Sequence, residues 1–309
     1  MTSRRFCQSQ KSGVGFVSNK ISDLRTWTCP GMEGGDYVNP LYCNPNYTEN
    51  FTPEFRSFID KHYSHHFEPL EVLGYIYALL YSPNYRKRYE EFLKADYPKI
   101  LFTNNKDLFR ALSLLGIELI GLHVLNQESL NHSFEKLKDA TIGESYYKEE
   151  HDRNPIISKK PSHNEPEQRL YINHSAYFRG VSQEIYDYRI GGYCVLDKYL
   201  KSHKNESCDF DHVTNIIKVI ARTIEIQKTL GFLTSDLPHL KGNDSQALMQ
   251  EILQNPPPPP PFNTNIALIL SRQAKASLNF DAAFISKEAS DLNISSGGGG
   301  SAFPLFCIT

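Results

Sequence analysis

The sequence lacks any long hydrophobic run, and its few cysteines follow no recognisable pattern. No apolar stretch reaches the roughly 18 residues that a transmembrane helix requires. The basic start of the chain is not followed by the apolar segment of a secretory signal. We therefore expect a cytoplasmic protein without membrane contact. The six cysteines form no CxxC pair and no zinc-type Cys/His spacing, so neither a disulfide scaffold nor a metal site is predicted.

An excess of charge of one sign is also missing. Lys and Arg total 33 and Asp and Glu total 35, which leaves a net charge of −2 at pH 7. This balance excludes a polybasic, histone-like protein, and any nucleic-acid binding must concentrate positive charge on one face. The composition that is present, 40% hydrophobic and 22% charged over 309 residues, supports a buried core in one large domain or two smaller ones.

The first half of the chain changes from strands to helices near residue 52. Residues 1–50 contain turn formers and short extended runs, of which 13–18 and 37–42 are predicted strands. Thr52 before Pro53 is a favourable helix start. Helical spacing of apolar residues then predicts helices over about 69–81, 84–95 and from a cap at Asn104 or Asn105 through 123. Residues 52–125 are thus predicted to form a helical subdomain.

The second half mixes loops, short elements and one proline run. We expect a polar loop with one strand at most over 127–168, a strand at 170–173, a short helix from Ser182, a helix through about 201 and a long helix over 211–229. Six consecutive prolines, 256–261, form a stiff polyproline II spacer, although such a run is also a ligand for aromatic grooves. The fold class is therefore α+β: short β-strands packed with helical subdomains. The predicted domains are 1–233, a linker at 234–262, and 263–309.

The C-terminal segment repeats the N-terminal one. Residues 271–292 match 3–24 at eight of 22 positions without a gap, and 303–307 match 39–43 after a shortened glycine-rich loop. We interpret 263–309 as a partial duplicate of 1–43. Strands without their helices bury too little surface to be stable. The duplicate is therefore expected to dock elsewhere, exchange with the first copy, pair with another chain or remain loose. Its leading apolar run, 266–270, has a counterpart that would precede Met1.

Three segments resemble the C-terminal specificity region of bacterial type ISP restriction–modification enzymes and related adenine-specific DNA methyltransferases. They are the paired SR…F(V/I)S…SDL…PL(Y/F)C stretches, YIYALLYSPNYRKRYEEFLK at 75–94, and YFRGV at 177–181 with YRIGGYCVLDKYLK at 188–201. Their order and spacing match over about 1–230. The resemblance implies a target-recognition domain that reads double-stranded DNA beside a methyltransferase core.

The chain departs from that family in its catalytic half, which has no counterpart here. Residues 11–15 contain only a pair of glycines and are interpreted as a turn. An adenine-specific active site needs an amide or carboxylate, two prolines and an aromatic residue around the flipped base. Residues 39–42, Asn-Pro-Leu-Tyr, have leucine for the second proline, and 255–258, Asn-Pro-Pro-Pro, have proline for the aromatic residue. We predict no catalytic residue and no cofactor in this chain; S-adenosylmethionine is expected only for the missing core.

The candidate DNA contacts are basic side chains, because Lys and Arg supply affinity for phosphates. Arg4 is the strongest single candidate, since Arg272 repeats it. The alternative interpretation of Arg4 is an ordinary surface charge or an ion pair. The basic run at 86–88 is followed by two glutamates, so its alternative interpretation is a solvated helix face. The candidates are Arg4, Lys20, Arg25, Arg86, Lys87, Arg88, Arg179 and Arg189.

The predicted function is sequence-specific binding of double-stranded DNA, as the specificity module of an adenine methyltransferase of the restriction–modification type. A separate methyltransferase or restriction subunit is the expected protein partner. The alternatives are an inactive remnant, a helical protein-interaction module, and a stand-alone adenine-specific methyltransferase.

Overall fold

The structure, a computed structural model, contains two compact units. It describes residues 15–20, 36–43, 48–90, 93, 98–147, 155–158, 160–190, 193–235, 237, 243–259, 266–271, 279–281 and 302–304. The described residues form both helices and short strands, which confirms the α+β class. The first unit comprises Met1–Val124 with Gln227–Thr309, and the second Leu125–Ile226. The domain boundaries at 233 and 262 stay a prediction.

Polar caps from the sequence start the helices of the first unit. Thr52, Ser82 and Asn105 each accept a hydrogen bond from a first-turn amide, which satisfies donors that a helix leaves unpaired. Before the second helix, Glu68 forms a capping box with Glu71. The helices are α1 (Pro53–Tyr63), α2 (Pro69–Tyr81), α3 (Pro83–Arg88) and α4 (Lys106–His123).

Two of these helices match their predicted bounds, and the helix predicted over 84–95 is interrupted. Helix α3 ends at Arg88, where Tyr89 has φ −110° and ψ 18°, but Glu90 and Leu93 are helical again, and the Leu93 amide donates to the Tyr89 carbonyl oxygen at 2.9 Å. Three cations occupy the last turn of α3, where the negative end of the helix dipole favours them. Of residues 90–97, the structure describes only 90 and 93.

Helices α2 and α4 form the centre of the first unit and meet at two glycines. Twelve of the 13 residues of α2 are buried, as expected for a helix that is apolar on all sides. A methyl group on Gly116 would overlap the carbonyl oxygen of Gly74, and one on Gly74 would lie 2.5 Å from the carbonyl oxygen of Ser113. The two backbones therefore touch directly, which only glycine at both positions permits.

A strand from the C-terminal segment lies at the centre of the N-terminal sheet. Strand β12 (Ala267–Ser271) pairs antiparallel with both β1 (Phe16–Ser18) and β2 (Asp36–Pro40). Its Ile269 faces Phe16 on one side and Val38 on the other. The preceding Ile266 is buried and accepts a hydrogen bond from the Leu41 amide at 2.9 Å. The apolar run at 266–270 thus completes a sheet with strands of the N-terminal segment, an arrangement that the sequence analysis did not predict.

Two further sheets complete the strands described in the first unit. Strands β3 (Tyr42–Cys43) and β4 (Thr48–Glu49) form a short antiparallel pair. In the C-terminal segment, β13 (Asn279–Asp281) pairs antiparallel with β14 (Ala302–Pro304) and parallel with β5 (Lys99–Ile100). Most residues of the proposed duplicate lie outside the described part, so the duplication itself stays a prediction.

Part of the predicted linker is a packed helix. Helix α9 (Asn243–Gln254) packs against α4 and buries Ser245 and Met249. Leu248, Met249, Ile252 and Leu253 have helical spacing, a signal that the prediction of a linker overlooked. Among the described prolines that follow, Pro257 is buried, so the chain leaves α9 against the protein surface.

The second unit is a four-stranded antiparallel sheet covered by helices, and it corrects the loop predicted over 127–168. That region contains α5 (Gln127–Phe134), β6 (Ser145–Tyr147) and β7 (Ser162–Asn164). With β8 (Arg169–Tyr171) and β9 (Ala176–Phe178), the sheet order is β6-β9-β8-β7. Ser-Tyr-Tyr in β6 and Ser-His-Asn in β7 show no alternation of apolar and polar residues, which is why the sequence did not reveal these two strands.

Three helices enclose the core of the second unit against this sheet. Leu170, Ala176 and Phe178 from the strands pack in one cluster with Leu196 and Val213 from the helices. The helices are α6 (Gln183–Tyr186), α7 (Val195–Ser202) and α8 (Phe210–Leu233), and a two-stranded ribbon of β10 (Arg189–Ile190) and β11 (Tyr193–Cys194) joins α6 to α7. Helix α8 starts in this unit, and its last residues belong to the first.

No single helix in the described part of the chain is long and apolar enough to cross a membrane. Helices α4 and α5, separated by a break, reach the necessary length and composition only when taken together.

Replacing Gly116 with alanine is expected to destabilise the first unit, because the added methyl group has no space against Gly74. We expect a loss of at least about 2 kcal/mol in the free energy of unfolding, measured by urea denaturation. Gly231→Ala is the matched control: the atoms nearest to its added methyl group are 4.0 Å away. This variant should be neutral or stabilised by up to about 1 kcal/mol. Equal stability of the two variants would contradict the direct backbone contact.

Truncation tests the role of β12. A chain that ends at residue 265 loses β12 and leaves β1 and β2 unpaired, whereas a chain that ends at 271 keeps it. We expect the shorter chain to be less stable by about 2 kcal/mol or more and to lose hydrogen-exchange protection at residues 36–39. Equal protection of these amides in the two truncated chains would show that β12 does not complete the sheet.

Candidate nucleic-acid interface

The described basic residues predicted to contact DNA belong to both units. Arg4 and Arg25 lie outside the described residues. Lys20 is exposed just after β1, where its amide donates to the Ser18 hydroxyl at 3.1 Å. The role of Arg4, Lys20 and Arg25 stays a prediction.

The run Arg86, Lys87 and Arg88, which we name the basic turn, forms the last turn of α3. Lys87 and Arg88 are exposed, and Arg86 is half-buried. Two hydrogen bonds hold the start of α3 against the end of α8. The Ser82 and Thr234 hydroxyls are 2.6 Å apart, and Asn84 Nδ2 donates to the Gly231 carbonyl oxygen at 2.6 Å. The basic turn is therefore presented on an anchored helix.

A pocket of about 430 Å³ opens beside the basic turn. Arg88 reaches across it, since its Nη1 donates to the Leu237 carbonyl oxygen at 3.4 Å, and its guanidinium lies 5.7 Å from the ring centroid of Tyr89. The rings of Tyr85 and Tyr89 are 5.1 Å apart. Burial raises the pKa of Tyr85, so this phenol stays neutral. The lining residues are Asn84, Tyr85, Lys87, Arg88, Tyr89, Leu101, Thr234, Ser235 and Leu237.

In the second unit, Arg179 is fixed by its backbone. Its amide donates to the Glu144 carbonyl oxygen at 2.8 Å, and its own carbonyl accepts from the Gly143 amide at 2.9 Å. The next residue, Gly180, has φ +64° and lies so close to Ile142 that a side chain would clash. The Arg179 side chain is exposed and forms an ion pair of 3.3 Å with Glu144. Exposed ion pairs of this kind are weak, so this arginine can exchange its partner for a phosphate.

Arg189 belongs to a different element of the same unit. It is exposed on the ribbon of β10 and β11, where it pairs with Cys194. Arg179 and Arg189 are therefore carried by separate sheets.

Comparison with known proteins identifies the family of the chain. The family model for the Type ISP C-terminal specificity domain matches residues 1–230. The chain belongs to this family. No curated protein matches it.

Three solved structures are similar to parts of this specificity domain. The DrdV–DNA complex determined by cryo-EM shares 17% identity with a TM-score of 0.46, over 63% of this chain and 21% of that one. The second structure is a nuclease-deletion mutant of the Type ISP restriction–modification enzyme LlaGI in complex with a DNA substrate mimic. It shares 21% identity with a TM-score of 0.40, over 57% of this chain and 17% of that one. The third structure is the ATP-dependent Type ISP restriction–modification enzyme LlaBIII bound to DNA. It shares 19% identity with a TM-score of 0.40, over 60% of this chain and 12% of that one. The chain spans about a fifth or less of the length of these proteins.

The solvent side of the four-stranded sheet in the specificity domain is a further surface, which the sequence did not suggest. The rings of Tyr146 and Tyr171 lie 4.8 and 5.1 Å from that of Tyr177, and the Arg169 guanidinium lies 4.6 Å over the Tyr177 ring. Arg169 also forms an ion pair of 2.9 Å with Glu167. We name these five residues the tyrosine face. The alternation of Arg-Leu-Tyr at 169–171 and Ala-Tyr-Phe at 176–178 is the signal that could have revealed it.

The asparagine motifs that imitate a methyltransferase active site have structural partners in the specificity domain. Asn39 and Pro40 lie in β2 and pair with β12. The Pro40 carbonyl oxygen, which would have to hold a target amine, accepts from Asn50 Nδ2 at 2.9 Å. Asn255 lies at the end of α9, where its amide donates to the Ile252 carbonyl oxygen. These contacts agree with the structural interpretation of both motifs.

The side chains that could hold a metal or act as nucleophiles are dispersed. Among the residues that the structure describes, no group of three or more His, Cys, Asp or Glu side chains could hold a metal ion. Burial raises the pKa of Cys208 to about 11, and it also raises that of Cys194. Both thiols therefore stay protonated and unreactive at neutral pH.

His123 is a core group rather than a cation for DNA. Its Nδ1 and the Tyr77 hydroxyl are hydrogen-bonded at 2.7 Å, and burial lowers the pKa of His123 to about 4. The imidazole is therefore neutral at physiological pH. An unfolded histidine takes up a proton below about pH 6.5, which the folded state resists.

Acidification is consequently expected to destabilise the domain through His123. Between about pH 6.5 and 4 its contribution to the free energy of unfolding should fall by up to about 1.4 kcal/mol per pH unit. His123→Gln keeps an acceptor for Tyr77 but does not titrate, so its stability should depend less on pH in this window. Chemical denaturation at a series of pH values measures the difference. Parallel curves for the two proteins would contradict the prediction.

Proposed function

We propose that this chain binds double-stranded DNA at specific sequences, as the specificity module of a restriction–modification enzyme that methylates adenine. The methyltransferase core, with its S-adenosylmethionine, belongs in this proposal to another part of the enzyme or to a partner chain. The single observation that carries the proposal is the specificity-domain family match over residues 1–230.

The electrostatics of the described residues are compatible with this role despite the net charge of −2. Lys87 and Arg88 extend from an anchored helix end, and Arg179 extends from a rigid strand end with only an exposed ion pair to hold it. Such cations bind phosphates and orient a protein on duplex DNA, whereas sequence is read by contacts to base edges. A few fixed cations are sufficient for affinity to duplex DNA, because each contact with a phosphate releases counterions from the DNA.

The first experiment measures duplex binding by the full chain. Fluorescence anisotropy with a random-sequence duplex, followed by repeated selection from that pool, is expected to show salt-dependent binding and then enrichment of one sequence. Absence of binding at low salt would contradict the proposal. A titration with S-adenosylmethionine separates the stand-alone methyltransferase alternative, because saturable binding at micromolar ligand would favour it.

The second experiment removes charge from the basic turn. Lys87→Gln with Arg88→Gln is expected to weaken binding uniformly across sequences and to lower the slope of log affinity against log salt by about 2, because two phosphate contacts are lost. The matched control is Lys61→Gln with Lys106→Gln, which removes two exposed lysines on α1 and α4. If both double variants change the slope equally, the basic turn is not a DNA contact.

The tyrosine face favours the second candidate function, a protein-interaction module. Tyr146 is 45% exposed, and clustered tyrosines with an arginine are typical of the centres of protein interfaces. Tyr146→Ser with Tyr177→Ser distinguishes the two functions. Unchanged DNA affinity, together with lost binding to a methyltransferase subunit, would assign this face to a protein partner.

A further inference from the structure

The pocket beside the basic turn combines three kinds of contact in one cavity. Tyr85, Tyr89, Leu101 and Leu237 give it apolar walls, Lys87 and Arg88 supply positive charge, and Asn84 supplies an amide. Its volume of about 430 Å³ lies within the range of about 300–1,000 Å³ for small-molecule sites. A single phosphate on a DNA surface would need no such cavity.

Hydrogen bonds within the protein restrict what the pocket can offer to a ligand. The Thr234 and Ser235 hydroxyls donate to the carbonyl oxygens of Leu230 and Phe232 at 2.6 and 3.0 Å. One N–H of Asn84 Nδ2 donates to Gly231, which leaves the Asn84 Oδ1 as an acceptor and the second N–H as a donor. The ammonium of Lys87 and the remaining N–H groups of Arg88 are the cationic donors.

We propose that this pocket binds one nucleotide, with the base on the apolar wall and the phosphate on Lys87 and Arg88. An aromatic and apolar wall accepts the flat face of a nucleobase. The Asn84 Oδ1 atom can accept from the adenine N6 amine while the remaining Nδ2 N–H donates to N7, the pairing that asparagine makes with adenine. The nucleotide has two conceivable sources: a DNA nucleotide held outside the double helix, or a free mononucleotide. The DNA source rests on the proposed function.

The test compares labelled duplexes that differ in a single nucleotide. The full chain is titrated by fluorescence anisotropy with a perfect duplex, the same duplex with one bulged adenosine, and a third with a bulged abasic site. We expect about tenfold tighter binding of the bulged adenosine, because stacking on an aromatic wall contributes that much. The abasic bulge bends the DNA without offering a base, so it should bind like the perfect duplex.

Two serine variants locate the effect. Ser235→Trp fills the pocket, and it is expected to abolish the preference for the bulged adenosine. Ser202→Trp is the matched control, because Ser202 is also exposed near a helix end, and its hydroxyl donates to the carbonyl oxygen three residues before it. This control should keep the preference.

A titration with dAMP distinguishes the two sources. Saturable dAMP binding that Ser235→Trp removes, with equal affinity for the three duplexes, assigns the pocket to free nucleotides. No discrimination among duplexes and no saturable dAMP binding would overturn the proposal, as would a preference for the bulged adenosine that Ser235→Trp leaves unchanged. Failure of every duplex to bind contradicts the proposed function instead, and the dAMP titration then still decides the role of the pocket.

Discussion

The first unit depends on the direct backbone contact between α2 and α4 at Gly74 and Gly116. Because no side chain separates the helices there, α2 is buried on nearly all sides. The packing also holds the C-terminal end of α2 in one position. A single residue, the cap Ser82, separates the end of α2 from the start of α3. The orientation of the basic turn is thus a consequence of close helix packing, and its pocket exists because the end of α8 meets α3 at the same place.

Strand β12 is the second constraint of this unit, and it connects distant parts of the sequence. The N-terminal strands β1 and β2 do not pair with each other directly, because β12 lies between them. About 230 residues separate β2 from this partner along the chain, a contact that costs loop entropy before it contributes stability. Residues 266–271 are therefore part of the same folded unit as residues 16–40.

The two units carry different surfaces. The first presents Lys87 and Arg88 beside an apolar pocket, which suits a ligand that is both anionic and aromatic. The second presents the tyrosine face, whose Arg169 is already paired with Glu167, together with the weakly held Arg179. The positive charge of Lys87 and Arg88 favours the first surface as the one that binds nucleic acid. The exposed rings of the tyrosine face suit contacts with either nucleobases or a protein partner.

The sequence by itself determined the α+β class, the family, the cap at Thr52, a cap at Asn104 or Asn105, and the bounds of α2. These features depend on local spacing and on nearby hydrogen bonds. Only the tertiary structure decided that Gly74 meets Gly116, that β12 enters the N-terminal sheet, and that Ser235 and Leu237 close a pocket around Lys87. Each of these contacts joins residues far apart in the chain, and the residues of β6 and β7 show no alternation of apolar and polar side chains from which a strand could be predicted.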